Sequence, residues 1–259
     1  MFDYHLHTRV SFDSEEAPEN TVRAAERLGL REICFTDHYD YRSDPDADHI
    51  LFDLQSYADN YDSLTSDRVK IRRGVEFGLT AWDTKELDEF LAKRDFDFVI
   101  GSVHCVEGYD PYDPEYWQDG KDPFEKYLLC MLECVRAHSN FDVLGHMSYV
   151  CKSPCNPTKK PLRYRDYADL CDEIMRELIK KGRGMEINTS GIDRVGEPLP
   201  SRDYLIRFRE LGGEIVTVGS DAHDAARVGN HIFDAIALAS EIFGYVCTFE
   251  KRKPIFHRI

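Results

Sequence analysis

The sequence predicts one α/β domain, a distorted (β/α)7 TIM-like barrel, on three observations. Seven times a short apolar segment runs through a polar loop into a longer segment of helical spacing, the alternation of parallel strands joined by right-handed crossovers. A length of 259 residues, 42% of them hydrophobic, suffices for one sizeable core and falls within the range of a single α/β barrel. Imidazoles and carboxylates also recur just after the apolar segments, at the end of a barrel where strands from the whole chain converge.

The first predicted strand, Phe2–Leu6, alternates, so His5 and His7 project to one side of it. A helix follows over Pro18–Leu28, with Pro18 suited to a first turn and Gly29 to the position after the last. Next come strand Glu32–Thr36, helix Asp53–Leu64, strand Lys70–Val75, helix Thr84–Ala92, strand Phe96–Gly101 and helix Pro123–Ala137. Strand Asp142–Gly145, helix Tyr164–Lys180 closed by Gly182, strand Gly184–Ile187 and helix Arg202–Leu211, between Ser201 and Gly212, continue the pattern. Strand Glu214–Val218 and helix Arg227–Phe243 complete it, and the basic tail Lys251–Ile259 is expected to cover an edge or the barrel bottom. The loops His38–Phe52, Val103–Asp122 and Met147–Leu162 are long and follow strands, which is where barrel enzymes build their sites. No internal repeat, low-complexity tract or Gly/Ser linker divides residues 1–259, so one domain is expected.

Charge and composition narrow the function. A formal charge of −15 repels a phosphate backbone, which argues against nucleic acid as a partner and means that a small anionic substrate needs bound cations. There is no run of eighteen apolar residues and no basic segment before the first strand, so a soluble, cytoplasmic protein with no membrane partner is expected. Eight cysteines in this length are not a disulfide scaffold; Cys34 lies in a predicted strand, and Cys130 and Cys134 share a helix face. The pair in Cys151-Lys152-Ser153-Pro154-Cys155 could hold zinc or form a bridge, but no second pair follows at finger spacing, and reduced thiols are expected.

At the strand ends stand His5 and His7, Asp37-His38, Glu76, His104, His146, Glu186 with Asn188, and Asp221 with His223; Asp13 lies in the loop after the first strand. Singly, His146 reads as a hydrogen-bonded core histidine and Glu76 as an ordinary loop carboxylate. Together they do not, because six of the ten histidines fall at strand ends, leaving only His49, His138, His231 and His257 elsewhere. A mixture of imidazole and carboxylate suits zinc, manganese or iron, and nine of these groups exceed the needs of one ion. With a carboxylate able to bridge, they suit two or three.

The series His5-Leu6-His7, Thr36-Asp37-His38, Gly74-Val75-Glu76, Gly101-Ser102-Val103-His104, Gly145-His146, Glu186-Ile187-Asn188 and Gly219-Ser220-Asp221-Ala222-His223 resembles the PHP (polymerase and histidinol phosphatase) family in content and order. The resemblance covers essentially the whole chain. It implies a distorted (β/α)7 barrel with three divalent metal ions, zinc, manganese or iron. It places His5, His7, Glu76 and Asp221 on one metal, Glu76, His104 and His146 on a second, and Asp13, His38 and His223 on a third, with Glu76 bridging. Asp13 stands where several members of the family carry histidine, which shifts the preference toward harder metals. Asp37 is expected to orient an imidazole ligand. Glu76, Asp221 and His223 are expected at the reacting centre, and Arg163, Arg194 and Asn188 are expected to contact substrate, with Arg9 a weaker candidate.

The texture around Arg163-Tyr164 and Glu186 to Gly191 is similar to the stand-alone histidinol-phosphate phosphatases of that family. The activity so implied is hydrolysis of L-histidinol phosphate, a small phosphate monoester, in histidine biosynthesis, and the acidic loops suit its cationic amino-alcohol part. A PHP phosphoesterase for another small monoester would keep the same ligands. A non-catalytic PHP module in a larger complex is disfavoured, because every expected ligand is present.

Overall fold

The computed structural model describes residues 1–42 and 49–259, so the central part of the predicted loop His38–Phe52 lies outside the described residues. Among those described, the strands are β1 (Phe2–Leu6), β2 (Glu32–Phe35), β3 (His38–Asp40), β4 (Lys70–Gly78), β5 (Phe98–Ser102), β6 (Val143–Leu144), β7 (Gly184–Asn188), β8 (Val216–Gly219), β9 (Tyr245–Glu250) and β10 (Lys253–Arg258). The helices are α1 (Pro18–Leu28), α2 (Leu54–Tyr61), α3 (Thr84–Leu91), α4 (Pro123–Ala137), α5 (Ala168–Lys180), α6 (Ile192–Val195), α7 (Arg202–Glu210) and α8 (Ile232–Phe243).

Parallel pairing runs β1-β2-β4-β5-β6-β7-β8, with β3 also beside β4. β2 lies along the first half of β4, Glu32 opposite Lys70, and β3 along the second half, His38 opposite Glu76. The offset is the same, so β2 and β3 are one barrel strand interrupted at Thr36-Asp37, and the seven predicted strand positions hold. The two end strands meet at their carboxyl ends: the His7 N–H donates to the Ala222 carbonyl and the Asp221 N–H to the His5 carbonyl, both at 2.9 Å. Asp3, fully buried at this seam, accepts from the Ser220 N–H, the Ser220 hydroxyl and the Gly229 N–H. The mostly parallel sheet is thereby nearly closed, with the helices outside it.

Local chemistry sets the element ends. Pro18 begins α1, and Gly29, at φ 68°, returns its N–H to the Ala25 and Glu26 carbonyls. Asp122 caps α4 by accepting from the Phe124 and Glu125 N–H groups. Two predicted helices start late. Residues Tyr164–Asp166 form a separate 3-10 turn before α5, and α8 begins at Ile232 because Gly229 and His231 adopt left-handed φ values of 70° and 55°.

The tail is more ordered than expected. β9 and β10 form an antiparallel hairpin whose two turn residues, Lys251 and Arg252, both have positive φ, as a two-residue hairpin that follows the strand twist requires. Lys251 N–H donates to the Asp97 carboxylate, and Arg252 donates from its backbone to the Asp97 carbonyl and from Nε to Asp142. Asp97 and Asp142 immediately precede β5 and β6, so the hairpin closes the amino end of the barrel. Beneath it the buried Arg72 pairs with Glu32 at 2.7 Å and Glu250 at 2.6 Å, and the Tyr4 hydroxyl meets Glu32 and Phe249. With that end plugged, the opposite mouth is the open face. Among the described residues no helix is long and apolar enough to cross a membrane.

Candidate metal centre

The nine predicted ligands converge at the carboxyl mouth. β1 brings His5 and His7 to one side, β3 opens with His38, β4 carries Glu76, and His104, His146, Asp221 and His223 follow β5, β6 and β8. All of these except His223 are nearly or fully buried, while Asp13 and His223 stand about a third exposed at the rim.

Their atoms fall into overlapping groups. His5 Nε2 and His7 Nε2 lie 3.1 and 3.5 Å from Glu76 Oε2, and 3.7 and 3.3 Å from Asp221 Oδ1. His146 Nε2 and His104 Nε2 lie 2.8 and 3.4 Å from the other Glu76 oxygen and 3.4 Å from each other. His223 Nε2 and His38 Nε2 lie 2.9 and 3.6 Å from Asp13 Oδ2. Ligands about 2.0–2.2 Å from a tetrahedral ion sit roughly 3.3–3.6 Å apart, which these separations bracket. His5 Nε2, His7 Nε2, His38 Nδ1 and Glu76 Oε2 are also buried without a hydrogen-bond partner, a costly condition that cations relieve. The residues therefore fit divalent metal ions, and Glu76 faces two of the groups, one with each oxygen.

Outer residues fix these ligands. Glu186 holds His5 Nδ1 at 2.6 Å and Asp40 holds His104 Nδ1 at 2.7 Å, each leaving Nε2 for metal. Asp37 does not touch the ring of His38 beside it; its carboxylate accepts from the Thr8 N–H, the Ser11 hydroxyl and Tyr61. It acts instead through Ser11, whose Oγ lies 3.0 Å from His7 Nδ1 and accepts the His38 backbone N–H. Asp221 adopts φ 56°, a left-handed conformation that a non-glycine residue keeps only when its surroundings enforce it. A Cβ at Gly219 would stand 2.3 Å from the His5 Cβ and 2.6 Å from Glu186, so the strand can approach this close only as glycine.

The charge pattern of the metal-free protein follows. Burial disfavours charge on His5 and His104, but carboxylates overcome it. Glu186, Glu76 and Asp221 hold His5 well above the usual imidazole range, and Asp40 with Glu76 pushes His104 up to about 10. His7 goes the other way, to about 3, through burial and the neighbouring His223 and His38 rings. Metals must displace the protons that His5 and His104 retain, so apparent affinity should rise with pH. Zinc competition titrations at pH 6 and pH 8 check this. Tighter binding at pH 8 is expected, and equal affinity would mean that no proton is displaced.

Above the ligands opens a cavity of 590 Å³. Arg194, expected to contact substrate, lines it, and among the described residues its guanidinium has no ion pair or hydrogen bond. Arg163 does not line it: Nη1 donates to Glu197 at 2.7 Å, which ties the side chain to the neighbouring loop. Arg9 is likewise off the cavity, with Nε on Asn60. Asn188 is fully buried, and its amide donates to Glu186 and Asp221 and so supports ligands without facing the cavity. Lys152, which the sequence reading passed over, lines the cavity with Nζ 2.8 Å from Asp221 Oδ2 and 2.9 Å from Ser190 Oγ. Asp110 was missed too; among the described residues its carboxylate accepts only the Tyr112 N–H at 2.8 Å and the Tyr149 hydroxyl at 3.5 Å. Among the described residues no metal-ligating group includes a cysteine, and Cys151 and Cys155 are free thiols, the latter donating to the Tyr112 carbonyl.

Comparison with known proteins agrees with this geometry. The profile of the PHP domain family matches residues 3–190. Histidinol-phosphatase of Lactococcus lactis subsp. lactis is 35% identical, over 97% of this chain and 95% of that one. A crystal structure of histidinol phosphate phosphatase from the same organism, complexed with zinc, L-histidinol and phosphate, superposes with a TM-score of 0.90 at 33% identity over 98% of each chain. The order of the ligands along the chain, their convergence around Glu76 and these matches place the chain in the PHP domain family.

Proposed function

We propose that this chain is a metal-dependent histidinol-phosphatase, hydrolysing L-histidinol phosphate to L-histidinol and phosphate, with three divalent ions held around Glu76. The observation that carries the reading is the shared carboxylate with its surrounding imidazoles beneath a cavity lined by cations, Arg194 and Lys152 among them, that can face a phosphate. The likeness to a histidinol-phosphatase along nearly the whole of both chains supports the substrate. His5, His7, Glu76 and Asp221 would hold one ion, Glu76, His104 and His146 a second, and Asp13, His38 and His223 a third; zinc is favoured by the Lactococcus structure, and manganese and iron suit the same donors. Bound there, such ions supply Lewis acidity to phosphoryl oxygens and lower the pKa of water.

The protein's own groups do the rest. Arg194 offers a planar fork to the non-bridging oxygens and Lys152 a point charge, both most valuable as charge spreads over those oxygens in the transition state. Asp110 is a lining carboxylate outside the three proposed ion sites; burial raises its pKa, which the nearby His104 and Arg42 oppose, and a substrate ammonium would stabilise its anion further. Tyr112 and Tyr149, stacked at 5.3 Å, give the organic part a flat wall beside it. The whole of residues 1–259 acts as one domain in this reading, since Asp221 and His223 lie beyond the matched segment yet complete two ion sites. Thiols outside disulfides, such as Cys34, Cys134 and Cys171, suit the cytoplasm.

Steady-state kinetics on a panel of phosphate monoesters tests the substrate. L-histidinol phosphate should have the highest kcat/KM; a sugar or nucleotide phosphate outrunning it would move the assignment to another monoester. Asp110→Asn should lower kcat/KM for L-histidinol phosphate about 10- to 100-fold, the worth of a charge-assisted hydrogen bond, and leave 4-nitrophenyl phosphate, which has no amine, unchanged. Equal losses on both would remove Asp110 from amine recognition.

A further inference from the structure

Arg194 stands on α6, a single turn between Gly191 and Gly196, too short to hold its shape by helix propensity. Its neighbour Asp193 is bound instead by the loop after β8. One Asp193 oxygen accepts Arg227 Nη2 at 2.7 Å and Asn230 Nδ2 at 2.9 Å, and the other lies 2.9 Å from His231 Nε2. A further bond, from Thr189 Oγ1 to the Asn230 carbonyl at 2.6 Å, joins the same two loops. His231 makes its contact from a left-handed backbone, φ 55°, which marks a conformation held by its surroundings.

Asp193 itself lines the cavity, beside Arg194. Left loose, its carboxylate could pair with that guanidinium and would repel an incoming phosphate. Held by three donors, it does neither. Ion pairs this exposed add little to global stability, so the network matters more for where charge is placed than for holding the barrel together.

We propose that Asp193, clamped by Arg227, Asn230 and His231, is a positioning residue that pins the turn carrying Arg194 and keeps its own charge off that guanidinium. The inference rests on Arg194 as the phosphate grip. Because Arg227 lines the cavity and could meet substrate directly, the test uses Asn230 and His231, which do not line it. An Asn230→Ala, His231→Ala double variant of the metal-loaded enzyme is compared with wild type, and the same pair is added to Arg194→Met, with inorganic phosphate as competitive inhibitor. In the wild-type background the phosphate Ki should rise about fivefold, roughly 1 kcal/mol, and kcat/KM should fall similarly with metal content unchanged. In the Arg194→Met background the same changes should have less than about a twofold effect, since a positioning residue has nothing left to position. His231→Gln, which keeps a donor, should stay near wild type. An unchanged Ki in the wild-type background, or equal losses in both, overturns the clamp. Should Arg194→Met alone leave Ki unaltered, the grip itself fails, and that arm reports it separately.

Discussion

Glu76→Ala is expected to strip more than one equivalent of divalent metal from the purified protein and to lower kcat/KM by about three to four orders of magnitude, roughly 4–6 kcal/mol. The reason is the division of labour between its oxygens. Oε2 faces His5 and His7, whereas Oε1 faces His146 and His104. Removing the side chain would open both proposed ion sites at once and leave the fully buried Nε2 atoms of His5 and His7 with one carboxylate, Asp221, to share. His38→Ala removes one side chain, whose Nε2 faces Asp13 and whose Nδ1 lies 3.1 Å from Glu76 Oε2, leaves Glu76 in place for the other groups, and should cost about one equivalent. Elemental analysis of the two purified variants reads the difference directly. Equal losses would contradict a shared carboxylate and imply separate sites. Glu76→Gln sharpens the test, because it keeps the volume and one oxygen but removes the charge that balances two cations.

What could be read from the sequence, and what could not, follows from how far each signal reaches along the chain. A period of two puts His5 and His7 on one face whatever the rest of the fold does, and an apolar run followed by a lone polar residue marks Glu76, His104, His146 and Asp221. The second layer is set by tertiary neighbours. Asp40 reaches His104 across sixty-four positions, and β3 that carries it has no apolar run to announce it, because two of its three residues are polar. Asp37 was read by adjacency to His38, yet its backbone position turns the carboxylate toward Ser11 and Tyr61. Lys152 sits in a 3-10 turn within a long loop, where no periodicity indicates direction, and for the same reason the pairing of Arg163 with Glu197 is not legible in the sequence. The closing hairpin escaped for a chemical reason: Lys251-Arg252 occupies a turn that usually asks for Asn or Gly, and contacts to Asp97 and Asp142 hold it there. The late start of α8 has a similar cause, since Gly229 donates to Asp3 and His231 to Asp193, bonds that a continuous helix over these residues would forgo.

Arg194→Met is expected to reduce kcat/KM for L-histidinol phosphate by roughly 2–4 kcal/mol, on the scale of losing one donor to a developing oxyanion. Both kcat and KM should suffer, because charge-assisted hydrogen bonds to the non-bridging oxygens exist in the ground state and strengthen as charge spreads. Arg194→Lys keeps the charge but not the planar fork, so activity should fall in the order Arg, Lys, Met. Metal content should not change in either variant, since the guanidinium touches no ligand. Lys152 provides the contrast. Its Nζ already pairs with Asp221 Oδ2, so Lys152→Met would remove a cation from the proposed phosphate site and from a proposed metal ligand together, and should lower both turnover and bound metal. A loss of activity with intact metal in Arg194→Met, set beside a loss of both in Lys152→Met, would assign the two cations distinct duties. Full kcat/KM in Arg194→Met would transfer the phosphate grip to Lys152, where recognition and metal assembly cannot be separated by substitution.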